Sequence, residues 1–215
     1  MTTTHAEDTT RTTPTGPGTP APDPRPALAH ALDQAGRLVH TVTLDDLDRP
    51  TPCSDYTVRQ LLGHLVAVER RIVHISHGGH PDDTTRLVTD VADADWPGAW
   101  DLARVDLGAV MDEDGILDRT FAHPAGQFPA RQAIFAYVSE VAVHTWDLSR
   151  AIASRIPLDD DLAAATLGPV TAFLPAEPRG GGIPFGPVVA VGAEATAYDR
   201  LVAWMGRDPG WTPAT

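Results

Sequence analysis

Apolar positions recur at steps of three and four along most of this chain. From Pro26, PALAHALDQAGRLVHTV puts Leu28, Ala31, Leu32, Ala35, Leu38 and Val39 on one face. That spacing predicts a first helix, with Pro26 suited to its opening turn. LDDLDRPTPCSDY breaks the pattern with Pro50 and Pro52 and reads as a loop. Thr57-Val58-Arg59-Gln60 then has the form of a capping box, in which Thr57 takes the Gln60 amide proton and the Gln60 side chain reaches back. The row Leu61, Leu65, Val68, Ile72, Ile75 carries a second helix to His77, where Gly78-Gly79 stop it. A weaker pattern predicts a third helix from Trp96 to Met111. GILDRTFAHPAGQFPA has β-capable residues around Pro-Ala-Gly and reads as a short hairpin or a loop. Pro129 opens the strongest helical signal, PARQAIFAYVSEVAVHTWDLSRAIA, with Ile134, Tyr137, Val138, Val141, His144, Leu148 and Ile152 at helical steps. DDDLAAATLGPVTAFL predicts a fifth helix with acids at its favourable end, and EATAYDRLVAWMG a last one. PAEPRGGGIPFGPVVAVG cannot be helical. Amphipathic helices without a run of strands predict an all-α bundle.

Composition changes the picture at one end. MTTTHAEDTTRTTPTGPGTPAPDPR is Thr, Pro and Gly with almost nothing apolar. Such a segment cannot bury enough surface to offset its ordering entropy, so residues 1–25 are read as a disordered tail and 26–215 as one domain. The tail has no apolar core of a secretory signal, and no later run is long enough for a membrane helix. The single cysteine, Cys53, allows no intrachain disulfide, which fits a cytoplasmic protein. A net charge of −13 repels phosphate backbones, so nucleic acid is not an expected partner. No lysine occurs; with the Ala, Asp and Pro richness this reads as coding bias, not as function.

Chemistry enters at EVAVHTWD. Glu140 and His144 are four apart, so a helix puts both on one face. A glutamate on an inward face needs a partner. The pair can give a carboxylate and an imidazole to one divalent ion, and a catalytic site needs one more ligand. His64 in QLLGHLVAVE offers it: it sits three after Leu61 and four before Val68, so it faces the interior. Gly63 beside it would let another backbone come close. Each signal alone has a plainer reading, His64 as a hydrogen-bonded core histidine and Glu140 with His144 as a surface salt bridge.

The same residues carry a resemblance. TPCSDYTVRQLLGHLVAVE resembles the second-helix entry of the mycothiol-dependent maleylpyruvate isomerase family, within the DinB-like helical bundle superfamily. That family has a Thr-Pro-Cys, an aromatic-Thr-Val and a Leu-x-x-His-Leu. SEVAVHTWDLSRAI resembles its second signature, Glu-x-x-x-His followed by Thr-Trp-Asp-Leu. IPFGPVVAV and DRLVAWMGRDPGW resemble the end of a short, single-domain branch. The resemblance runs from about Ala27 to Trp211. It implies a DinB-like four-helix bundle with extra short helices and a small hairpin, holding a metal through His64, Glu140 and His144. The family's isomerase carries a second domain for which this chain is too short. Its catalytic arginines find no match here, so maleylpyruvate isomerisation itself is not implied.

Two imidazoles and a carboxylate suit zinc first, then nickel, iron or manganese. Such an ion can lower the pKa of water or hold a thiol as thiolate. The resemblance implies the second use, with mycothiol as co-substrate attacking a small electrophile, so a transferase or isomerase is expected. The alternatives are a thiol-independent hydrolase, lyase or cyclase, and a metal- or ligand-binding protein without turnover. Asp147, three after His144, could accept the outer N–H of a ligand histidine, or pair with Arg150 or Arg131 on the surface. Arg179, before Gly180-Gly181-Gly182, could meet an acid group if that loop closes over a substrate; a plain connector is the other reading. Cys53 reads as a loop residue, Trp146 as packing, and His74, His77 and His80 as solvated. The expected partners are a small molecule and a thiol, with the chain a monomer or homodimer in an actinobacterial cytoplasm.

Overall fold

The computed structural model describes residues 22–123, 126–180 and 185–213. Most of the tail, residues 1–21, therefore lies outside the described residues, as do the Pro124-Ala125 step of the hairpin turn and the glycines 181–182. Helices α1 (Arg25–Val39), α2 (Val58–Ser76) and α3 (Trp96–Met111) lead to a two-stranded antiparallel hairpin, β1 (Thr120–His123) and β2 (Gly126–Pro129). Helices α4 (Ala130–Ala151), α5 (Asp160–Phe173) and α6 (Ala197–Trp204) follow. The six helices expected from the sequence are thus present among the described residues, and the GILDRTFAHPAGQFPA segment forms a hairpin.

Four helices form the bundle. Arg25 reaches the Met111 carbonyl and Gly36 abuts Trp100, so α1 and α3 run antiparallel. Gly63 meets Trp96 while His77 meets Glu113, so α2 and α3 run parallel. The inward rows Leu28–Leu38, Leu61–Ile75, Trp96–Leu107 and Ile134–Leu148 make one core. The far side of α4, at Ala142, Val143 and Trp146, packs a second apolar cluster with α5 and α6. Trp146 is buried there, as a packing residue. Gln34 joins the two layers: its amide donates to the Tyr198 hydroxyl, and its carbonyl accepts from Asp159 N–H at 2.7 Å. The capping box at α2 is present, with Thr57 N–H donating to Gln60 Oε1 at 2.8 Å.

The glycine-rich connector is held where it is described. Val189 N–H donates to the Ala203 carbonyl at 2.9 Å, and Gly186 lies against Gly206. Residues 185–189 are therefore strapped to α6, which a sequence rich in Gly and Pro does not by itself reveal.

Candidate metal centre

α2 and α4 turn three polar side chains toward one another, His64 from the first and Glu140 and His144 from the second. His64 and His144 are buried; the Glu140 side chain is 31% exposed. His64 Nε2 lies 3.2 Å from Glu140 Oε1. The two imidazoles stand edge to face with centroids 4.7 Å apart. One ligand atom from each of His64, Glu140 and His144 can be chosen so that all three lie within 4.8 Å of one another. Ligands on a tetrahedral zinc are ~3.3 Å apart, so the group is near the size required.

The far nitrogen of each ring is already committed. His64 Nδ1 lies 3.0 Å from the Arg86 carbonyl, which can only accept, so Nδ1 carries the proton. The carbonyl gets there because residues 84–88 are laid on α2. Val88 N–H donates to the Gly63 carbonyl at 3.1 Å, and a Cβ at Gly63 would stand 2.3 Å from Val88 O. Arg71 pins the same segment through Thr84 and Thr85. On α4, His144 Nδ1 pairs with Asp147 Oδ2 at 3.0 Å. Asp147 is 0% exposed and takes a fork from Arg207, Nε at 3.3 Å and Nη2 at 3.1 Å. Burial opposes the Asp147 carboxylate, but His144 and Arg207 hold its pKa below the ordinary value. Burial also lowers the His144 pKa, only partly offset by Asp147, so the ring is neutral near pH 7.

The consequence is electrostatic. With Nδ1–H spent on Arg86, the Nε2 lone pair of His64 faces a carboxylate oxygen at 3.2 Å. Burial would raise the Glu140 pKa, yet the close approach of His64, with His144 and Arg71 nearby, brings it below the ordinary value, which favours the carboxylate. Two electron-rich atoms in that position need a cation between them, either a proton or a metal ion. Two nitrogens and one oxygen are a donor set for zinc and its first-row neighbours.

Two further side chains edge the group. The Tyr56 ring lies 5.1 Å from that of His64 and 6.2 Å from that of His144, with its hydroxyl 3.5 Å from His64 Nδ1. Burial raises its pKa, so it remains a donor. Cys53 forms a second close group with His144 and Asp147. Burial pushes its thiol up, which argues against a nucleophile. Arg179 stands apart: its Nε donates to the Pro175 and Ala176 carbonyls and its guanidinium lies over Trp204. Among the described residues it makes no bond to the triad. His77 and His80 are solvated as expected, and His74 is partly so. Two clefts, of about 480 and 800 Å³, open near Ile156 and between Trp146 and Trp211, and neither is lined by the triad.

Sequence reasoning did not find Tyr56, Arg86 or Arg207 as neighbours of the triad. Tyr56 lies in the TPCSDYTVRQLLGHLVAVE stretch, eight before His64, so sequence proximity is the signal that points to it. The other two meet the site only through tertiary folding. No helix among the described residues is long and apolar enough to cross a membrane.

The chain is similar to several known proteins. Two uncharacterized proteins of Mycobacterium tuberculosis, from strains CDC 1551 / Oshkosh and ATCC 25618 / H37Rv, are each 29% identical over 189 residues, 86% of this chain and 98% of theirs. The crystal structure of the mycothiol-dependent maleylpyruvate isomerase superposes with a TM-score of 0.51 at 15% identity, covering 67% of each chain. A histidine-to-alanine mutant of it gives 0.52 at 12% identity over the same shares. These share the DinB-like fold. Residues 28–149 match the model of the mycothiol maleylpyruvate isomerase N-terminal domain, and the chain belongs to that family.

Proposed function

We propose that this chain is a cytoplasmic, metal-dependent enzyme that uses mycothiol to transfer to, or isomerise, a small electrophilic metabolite. His64 Nε2, Glu140 and His144 Nε2 would hold the divalent ion, zinc before nickel, iron or manganese. One observation carries the reading: both histidines have Nδ1 tied to an acceptor, which leaves two lone pairs and a carboxylate converging. A bound ion there would supply a Lewis acid able to keep a thiol ionised near neutral pH.

The chain's own groups do the rest. The Arg86 carbonyl and Asp147 keep the ring protons on the outer nitrogens. The Tyr56 hydroxyl, which keeps its proton and lies beside His64, would be a donor for an oxygen of the electrophile. Arg179 would take part only if its connector swings toward the site. The thiolate sulfur would add to one carbon of an activated double bond, whose π pair moves to the conjugated oxygen. Protonation of the other carbon by water then leaves the S-conjugate, or, after rotation about the new single bond, the C–S bond breaks, the double bond re-forms and the thiolate is released.

The test is metal content by mass spectrometry of the purified protein beside the His64→Ala, Glu140→Ala, His144→Ala triple variant. Near-stoichiometric metal that is lost in a still-folded variant is expected. A wild type that cannot be loaded with zinc, nickel, iron or manganese would sink the reading and leave a protonated hydrogen-bond cluster. Mycothiol added to the Co²⁺-loaded protein should bring a sulfur-to-metal charge-transfer band; metal without that band would favour a thiol-independent enzyme.

A further inference from the structure

The residues after α6 lie beyond the segment matched to the family, 28–149, yet they enter the candidate metal centre. α6 ends in a left-handed turn. Gly206 has φ +80, its N–H donates to the Ala203 carbonyl at 3.1 Å, and Arg207 N–H donates to the Val202 carbonyl at 2.9 Å. Glycine is needed there twice over, because a Cβ would also meet the Gly186 backbone at 2.8–2.9 Å. The turn sends Arg207 back toward α4. Its Nη2 reaches the same Asp147 oxygen, Oδ2, that pairs with His144 Nδ1. Its Nε holds the other oxygen. A planar fork on both oxygens fixes the carboxylate plane, which one point charge would not do. Without it, Asp147 could rotate toward Cys53, its other near neighbour, and His144 could turn its ring.

We propose that Arg207 is a positioning residue of the metal centre, and that the segment after α6 is a working part of it. The grip on Asp147 holds the His144 ring with Nε2 toward Glu140. The inference rests on the metal reading above.

The experiment uses the full chain and Co²⁺ alone as the probe, with Arg207→Gln, Arg207→Lys, Asp147→Asn and the double variant Asp147→Asn/Arg207→Gln. The double variant buries no unpaired charge, so it covers the case in which Arg207→Gln folds poorly. Two quantities are read: Co²⁺ affinity by chelator competition, and the His144 ring-nitrogen NMR shifts of the metal-free protein. Arg207→Gln should weaken Co²⁺ about tenfold and mix the His144 tautomers, with Arg207→Lys between it and wild type. In the Asp147→Asn background the same change should cost less than about twofold. Equal losses in both backgrounds would show general loosening and overturn the positioning role. Wild-type affinity and a single tautomer in Arg207→Gln would overturn it too. If wild type takes up no Co²⁺, the metal reading fails and this inference with it; if wild type binds and Arg207→Gln binds equally, only this inference fails.

Discussion

Gly63 and Val88 lie backbone against backbone, with Val88 N–H bonded to the Gly63 carbonyl at 3.1 Å and no room for a Cβ between them. The contact lies one residue from His64 and two from Arg86, so a packing detail sets the orientation of a candidate ligand. Gly63→Ala must push residues 84–88 away and loosen the Arg86 carbonyl from His64 Nδ1. A stability loss on the order of 1–3 kcal/mol is expected from overpacking. Metal affinity should fall as well, because the ring loses its outer partner. Chemical denaturation and chelator competition on the same sample check both. A variant that loses stability but keeps wild-type affinity would show that the carbonyl does not orient the ring.

Cys53 offers a rival ligand set with His144 and Asp147. His144 Nδ1 and Asp147 Oδ2 are already bonded to each other, and burial raises the thiol pKa, which favours its protonated form. Cys53→Ser is therefore expected to leave metal stoichiometry unchanged. Metal analysis showing loss in this variant would move the site toward the α2 entry loop.

Glu69, on α2, is 0% exposed, and neither of its carboxylate oxygens has a hydrogen-bond partner among the described residues. Burial, opposed in part by Arg104, pushes its pKa from 4.5 to about 8. The folded-state value is the higher one, so this group's stability contribution is whole below pH 4.5. It is lost as pH rises toward 8, because the unfolded chain releases a proton that the fold keeps. Glu69→Met should flatten that slope and gain a few kcal/mol, on the order of 3–5, above pH 8. Urea melts at pH 5, 7 and 9 decide the matter; identical pH slopes for the two proteins would rule out a neutral buried acid.

Ala153, just past the end of α4, has φ 50, the left-handed conformation that glycine adopts without strain. Ala153→Gly should stabilise by about 1 kcal/mol and raise Tm by ~2–4 °C. A calorimetric scan is sufficient, and a lower Tm would mean that the added freedom of the unfolded chain outweighs the relieved strain.

Legibility in the sequence followed the range of the interaction. Helical offsets alone put His64 on an inward face and Glu140 with His144 on another, because the 3.6-residue period is local. The same offset places Asp147 near His144 but does not choose between that ring and Arg150 or Arg131; the structure pairs it with His144 and Arg207. Glu69 sits four after Leu65 and three before Ile72, on the buried stripe itself, and that signal was there to be read. Arg207 and Arg86 could not be read. One depends on a glycine turn 60 residues from its partner, the other on a main-chain oxygen whose side chain has no part in the contact.

That last feature makes the two histidines unequal under mutation. His144 depends on a side chain, so a single base change at codon 147 can release it. His64 depends on the main-chain carbonyl of residue 86, which every amino acid supplies. The side chain at position 86 is exposed, and it can vary while the histidine stays oriented. The side chain at position 86, beside the candidate metal centre, is therefore free to change without first losing the contact that orients His64.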